Sequence, residues 1–241
     1  IIAGQGSGPA ARQPLVDGLA RHHPVLTFDP RGTGRSDPAA QGDSMETLAG
    51  DALELMNQAG FHKAALIGLS TGTGQATFLA STFPERIDRL LLAAPWTHGD
   101  AYFHTLQNLR KAAAVALPPD QYVRLNSVLL YCPAYLQAHA ARFDELARRA
   151  RDTGQDADGI AARLDAILDF DARPHYGKIV CPTLVCGARD DLVMPLWFAR
   201  AAADAIAHAR FVAFEEGGHM FFESRADEFL SAALPFLSKH V

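Results

Sequence analysis

Ala64-Ala65-Leu66-Ile67-Gly68-Leu69-Ser70-Thr71-Gly72-Thr73-Gly74 is an apolar run that ends in Gly-x-Ser-x-Gly, and Gln75, Phe78, Leu79 and Phe83 continue it with helical spacing. The run reads as a buried strand and the continuation as a helix, so the serine falls on a tight strand-to-helix turn. Such a turn forces its central residue into a strained backbone conformation and lifts the hydroxyl clear of the sheet. Small residues two places to either side let strand and helix approach without a Cβ clash. The helix N-terminus beneath the serine also offers amide donors and the positive end of the helix dipole to a developing anion. Three fixed positions match by chance in about one chain in ten of this size, so the strand before and the helix after carry the weight. Thr73 stands where many such turns have a second glycine; Gly74 follows at once, inside the helix.

Working outward, apolar runs at residues 1–3, 25–29, 64–68, 90–94, 183–187 and 211–215 alternate with helical patterns. Each run is apolar on both sets of alternating positions, as expected of strands covered on both faces. The pattern implies an α/β fold, a mostly parallel sheet with helices on both faces. Ser44 caps a helix carrying Leu48, Ala52, Leu55, Met56 and Ala59, and Gly60 closes it. From residue 95 to 176 strand signals give way to helical spacing, at Tyr102, Leu106, Leu109 and Ala113 and again at Ile160, Leu164, Ile167 and Leu168. Pro118-Pro119 and Cys132-Pro133 divide that segment, and residues 152–158 form a polar turn. The expected organisation is a core of residues 1–94 and 177–241 with a helical lid inserted at 95–176.

A serine hydroxyl needs an adjacent base, and the base needs a third group to fix its tautomer. Ten histidines are available. His219 is set apart by Gly217-Gly218 before it and the apolar run 211–214 upstream, which puts it in a loop at the C-terminal end of a strand, where open parallel sheets build their sites. The run 183–187 leads into Ala188-Arg189-Asp190-Asp191. Asp190, three residues after Gly187, is the favoured orienting acid and Asp191 the alternative.

Composition narrows the remaining choices. The chain has 241 residues and a formal net charge of −5, against a nucleic-acid surface. Arg142, Arg148, Arg149 and Arg151 cluster, but Asp144, Glu145 and Asp152 interleave with them as on a solvated helix face. Cys132, Cys181 and Cys186 have neither disulfide parity nor zinc spacing, which suits a reducing, cytoplasmic setting, and Cys181 and Cys186, flanking an apolar run, are expected as buried thiols. No apolar stretch reaches the roughly 20 residues of a membrane span. The chain opens at Ile1 inside an apolar run, so the N-terminus looks incomplete, and oligomeric state is not legible.

The stretch Phe28-Asp29-Pro30-Arg31-Gly32-Thr33-Gly34-Arg35-Ser36-Asp37 resembles the loop after strand four of α/β-hydrolases. With the Ser70 turn, the Asp190 loop and Gly217-Gly218-His219 it extends the resemblance over essentially the whole chain. The order Ser, Asp, His also matches that superfamily. Leu69 is similar to the residue found in 3-oxoadipate enol-lactonases and non-haem perhydrolases. Trp96, Leu130-Tyr131-Cys132-Pro133 and Phe170-Asp171 before His175 are similar to the aminoacrylate hydrolase of uracil breakdown. The resemblance implies a serine hydrolase of small esters, lactones or related acyl compounds, with carbamate, amide or C–C bond hydrolysis as alternatives and no metal or organic cofactor. It assigns the oxyanion donors to the backbone amides of Gln5 and Thr71, although Ala3 stands where many relatives have histidine. Trp96, Tyr102, Phe103, Tyr131 and Met220 are candidate apolar walls of the substrate site. An anionic substrate would call for a cation such as Arg110, Lys111 or Arg124.

Two other classes compete. Gly4, Gly6 and Gly8 after a strand, with Asp29 some 20 residues on, sketch a dinucleotide-binding turn. However, Gly8 comes one place early and Asp29 runs into Pro30-Arg31-Gly32, a turn. A non-catalytic binder on the hydrolase fold is the other, since fold alone does not settle function.

Overall fold

The computed structural model describes residues 1–4, 9–37 and 43–238. Its frame is a parallel sheet of β1 (Ala64–Leu69), β2 (Ile87–Ala93), β3 (Thr183–Ala188) and β4 (Arg210–Phe214), ordered β1-β2-β3-β4. Ile2 extends the sheet beyond β1 as an isolated parallel bridge to Gly68, held by Ile2 N–H to Ile67 O (2.8 Å) and Leu69 N–H to Ile2 O (3.0 Å). Residues 25–29, expected as a strand, carry no ladder. The chain there meets the first residues, with Ile1 N donating to Leu26 O at 2.8 Å, but forms no ladder with them.

Strand side chains alternate between two cores, because successive residues of a strand point to opposite faces. Leu66, Leu90, Leu92 and Val185 enter one cluster, with Leu48 and Ala52 of α2 (Met45–Gln58), Ala76 and Leu79 of α3 (Gly72–Thr82) and Phe198 and Ala202 of α10 (Leu196–Ala205). Ile67, Leu69, Leu91, Ala93, Leu184 and Cys186 enter the other, with Leu15 and Leu19 of α1 (Pro9–Ala20), Phe221 and Phe222 of α11 (Phe221–Ser224) and Phe229 and Ala233 of α12 (Ala226–Ser238). The sheet is thus covered on both faces, and its strands read as continuous apolar runs for that reason.

The helix ends follow the signals in the chain. Ser44 Oγ accepts from Thr47 N (3.3 Å) at the start of α2, and Gly60 takes φ +75° beyond its end. Between β2 and β3 come α4 (Ala101–Ala116), α5 (Pro119–Leu130), α6 (Pro133–Ala138), α7 (Ala140–Thr153), α8 (Ala157–Asp169) and the short α9 (Arg173–Tyr176). Pro119 and Pro133 occupy first-turn positions of α5 and α6, where proline's missing N–H costs nothing. Asp100 and Asp156 cap α4 and α8 by accepting from Phe103 N and Gly159 N. The three cysteines are free and buried, and burial pushes the Cys186 thiol up to about 12. No described helix is long and apolar enough to cross a membrane.

Candidate active site

Ser70 sits between β1 and α3 with φ +53°, a left-handed conformation that strains a non-glycine residue by about 1–3 kcal/mol. The surrounding bonds hold it there: Ser70 N–H donates to Ala93 O (2.8 Å), and Ser70 O accepts from Thr73 N (2.8 Å) and Thr73 Oγ1 (2.6 Å). The flanking glycines are needed for close approach. A Cβ on Gly68 would lie 2.8 Å from Gly72 O and from Thr73 Cα, and one on Gly72 would lie 2.2 Å from Ile2 O. Gly4 passes over the serine so closely that its Cβ would stand 2.7 Å from Ser70 Cβ.

His219 reaches Ser70 across 149 residues of chain: its Nε2 is 2.7 Å from Ser70 Oγ. It stands on the loop after β4, beyond the turn at Gly217 (φ +138°) and Gly218 (φ +68°), conformations that favour glycine. Both side chains are buried, Ser70 at 8% and His219 at 1% exposure. The far ring nitrogen, Nδ1, faces Asp191, 2.9 Å from Oδ2 and 3.1 Å from Oδ1. Asp191 Oδ1 also accepts from Val193 N and Met194 N, each at 2.8 Å. Those backbone donors hold the carboxylate in place, an arrangement that can fix the imidazole tautomer with Nε2 facing the serine hydroxyl as an acceptor.

The carboxylate that meets the His219 ring is Asp191, the alternative read from the sequence, and not the favoured Asp190. β3 continues to Ala188, one residue beyond the apolar run read from sequence, and Asp191 N turns back to Ala188 O at 3.4 Å. That turn carries Asp191 inward to 3% exposure. Asp190 has a different task. Its two oxygens accept from Gly217 N (3.0 Å) and Gly218 N (2.9 Å), so it holds the loop that presents the imidazole.

Thr71, the residue after the serine, lies at the N-terminal end of α3, where the amides of a helix lack intrahelical acceptors. Gln5 falls outside the described residues. The Arg31 loop is braced from α2: Arg31 donates to both Asp51 oxygens (2.8 and 2.7 Å) and to Asp43 (3.2 Å). Ser81 Oγ and His175 Nδ1 form a second serine–histidine contact at 2.8 Å. Ser81 Oγ already donates to Phe78 O (2.9 Å), so that imidazole serves as donor and not as base.

The five candidate wall residues do not share one surface. Trp96 and Phe103 stack in the core, centroids 6.3 Å apart, and the indole nitrogen donates to Ile167 O. Tyr102 lies at the rim of the acid loop with its hydroxyl on Leu192 O (2.6 Å). Tyr131 and Met220 pack in the cluster that holds Leu69 and Ala94, and Met220 N–H donates to Leu130 O (2.9 Å). The candidate cations are all engaged: Arg110 with Asn126 and Gln107, Lys111 with Asp165, Arg124 with Asp144.

Two features escaped the sequence reading. Glu223, nearly buried, takes an ion pair from Arg142 and a hydrogen bond from the Tyr131 hydroxyl (2.8 Å). A small cavity beside Thr71 is lined by Gln75 and Arg163. Neither has a local signature, because each joins residues from distant elements. Among the described residues no group of three or more acidic, histidine or cysteine side chains could hold a metal.

A family model described as alpha/beta hydrolase fold matches residues 3–226. Over 98% of this chain and 89% of the relative, the sequence is 29% identical to "Putative carbamate hydrolase RutD" of Azorhizobium caulinodans. The protein of that name from Caulobacter sp. is 30% identical over 99% of this chain and 89% of its own length. Among solved structures, the enol-lactonase of Burkholderia xenovorans LB400 superposes with a TM-score of 0.86 at 27% identity, covering 98% of this chain and 89% of that one. MGS-M2, an α/β-hydrolase enzyme from a deep-sea metagenome library, reaches 0.92 at 17% identity over 100% and 88%, a likeness of fold alone.

Proposed function

The chain belongs to the α/β-hydrolase family, and from that premise we propose that it is a serine hydrolase of small acyl substrates working through Ser70, His219 and Asp191. The observation that carries the proposal is the 2.7 Å contact between a strained Ser70 hydroxyl and an imidazole held from behind by a buried carboxylate. His219 Nε2 takes the serine proton as Oγ attacks the carbonyl carbon, and the tetrahedral oxyanion turns toward the amide of Thr71 and that of Gln5. His219 then protonates the leaving group. Water, deprotonated by the same nitrogen, cleaves the acyl-enzyme, and the Asp191 carboxylate balances the imidazolium in both halves.

The helices between β2 and β3 act in this reading as a lid over the serine, with Tyr131 and Met220 its nearest apolar walls. The relatives named as carbamate hydrolases favour a second substrate class on the same machinery, since a carbamate carbonyl is open to the same attack. A panel of p-nitrophenyl ester, lactone and carbamate substrates tests both. Wild type is expected to turn over at least one class, with Ser70→Ala reduced to background at unchanged Tm. Near-wild-type hydrolysis by Ser70→Ala defeats the assignment, and the class with the highest kcat/KM decides between ester, lactone and carbamate.

A further inference from the structure

The peptide group that joins Leu192 to Val193 is held at both ends. Its N–H, on Val193, donates to Asp191 Oδ1 at 2.8 Å, and its carbonyl, on Leu192, accepts from the Tyr102 hydroxyl at 2.6 Å. A trans peptide is planar, with N–H and C=O pointing opposite ways, so a bond that fixes one end fixes the direction of the other. Tyr102 stands in the first turn of α4, the opening helix of the insertion, 90 residues away along the chain. Asp100, at the start of the same helix, grips the segment a little farther on. Its Oδ1 caps α4 by accepting from Phe103 N (2.7 Å), and its Oδ2 accepts from Trp197 Nε1 (3.1 Å). The Tyr102 ring meets Trp197 edge-on at 5.6 Å, and below them the buried Phe103 and Phe198 meet the same way. The Leu192 side chain is itself exposed, so its own packing does not anchor the loop. Partial burial, then the charges of Asp191 and Asp100, push the Tyr102 hydroxyl above its ordinary value, so it stays protonated and donates.

We propose that Tyr102 is a positioning residue for the orienting acid: through one peptide group, a hydroxyl of the helical insertion aims the N–H that holds the Asp191 carboxylate against His219. The proposal rests on Ser70, His219 and Asp191 being the reacting set. The bonds then form a single chain. It runs from the Tyr102 hydroxyl to Leu192 O, from Val193 N–H to Asp191 Oδ1, from the carboxylate to His219 Nδ1 (2.9 Å to Oδ2) and from His219 Nε2 to Ser70 Oγ (2.7 Å). A donor on the Leu192 carbonyl also polarises the peptide, which makes Val193 N–H a better donor to the carboxylate. Asp191 Oδ1 takes a second bond, from Met194 N at 2.8 Å, so loss of the hydroxyl weakens the grip without releasing it. The grip on the carboxylate thus depends on how the first turn of α4 is seated. Tyr102 touches none of the reacting atoms in this role; it acts on the imidazole through Asp191 alone.

Tyr102→Phe keeps the ring against Trp197 and removes only the hydroxyl. On whichever p-nitrophenyl substrate wild type turns over, it is expected to lower kcat about three- to tenfold with KM within about twofold. A residue that lined the substrate site would move KM instead. The same substitution is then made in an Asp191→Ala background, where the hydroxyl has no carboxylate to act through and is expected to change kcat by less than about twofold. Hydrogen exchange at the Val193 amide reads the grip without turnover, and Tyr102→Phe is expected to speed it about threefold or more. Leu109→Ala, exposed on the same helix, is expected to match wild type in both kcat and exchange. Wild-type kcat in Tyr102→Phe, whatever happens to KM or Tm, overturns the positioning role. So does an unchanged Val193 exchange rate, or a kcat loss of the same factor with and without Asp191. If Asp191→Ala itself keeps near-wild-type kcat, the acid assignment fails and the proposal with it; if the proposal alone fails, Asp191→Ala is impaired while Tyr102→Phe behaves as wild type.

Discussion

Asp190 and Asp191 hold two ends of one arrangement, the first gripping the backbone of the His219 loop and the second its ring. Asparagine at 191 would keep the shape but donate where the imidazole needs an acceptor, so the wrong tautomer is stabilised. Asp191→Asn is expected to lower kcat by about 10³–10⁴ with KM little changed. Asp190→Asn weakens two charge-assisted backbone bonds and is expected to lower Tm, with a kcat loss of about tenfold or less. The reverse order of kcat losses would return the acid role to Asp190. The meeting of Ser70 and His219 was foreseeable because glycines beside each announce a turn of restricted geometry. The carboxylate that meets the imidazole was foreseeable only to within one residue. Nothing in Gly187-Ala188-Arg189-Asp190-Asp191 states where the strand stops, and a shift of one position decides which carboxylate turns inward.

The elements of the sheet could be read from apolar runs because strands buried on both faces need continuous apolarity. The same logic misplaced residues 25–29, whose apolar side chains pack partly buried without a ladder beside them. Prolines at the starts of α5 and α6 marked the divisions of the helical insertion correctly. The clamp between that insertion and the base loop was not legible, because it joins Tyr131 and Arg142 to Glu223 across some 80 to 90 residues. Burial and the neighbouring Glu223 push the Tyr131 hydroxyl up, so it stays a donor. Burial works against the Arg142 charge, but the hydrogen bond and charge of Glu223 outweigh it and hold that group above its ordinary value. The Arg142 guanidinium also lies over the Tyr131 and Phe143 rings. Its neighbours on α7 behave as the sequence implied: Arg148 and Arg149 pair with Glu145 on the surface. Glu223→Ala removes the shared partner of Arg142, Tyr131 and Tyr135 and is expected to cost about 1–3 kcal/mol, a Tm drop of several degrees. KM should rise more than kcat falls, since the insertion loosens while the Ser70–His219 contact persists. Unchanged Tm and KM would show that the clamp does not fasten the helices between β2 and β3.

At the scale of the whole molecule, the sheet brings residues 70, 191 and 219 to one end of the strands, each on a loop just past a strand's last residue. The order of those loops along the chain made the convergence foreseeable by resemblance; the distances could come only from the fold. The negative formal charge and ordinary apolar content described the surface and core but said nothing of the chemistry, which resides in a few buried polar groups.

Reactivity of Ser70 toward a fluorophosphonate probe, followed by intact mass and peptide mapping, tests the hydroxyl–imidazole pair most directly. The native chain is expected to gain one phosphonyl group, on Ser70, and His219→Ala to remain unlabelled over the same interval. A wild-type chain left unmodified, or His219→Ala labelled at the wild-type rate, would contradict the account.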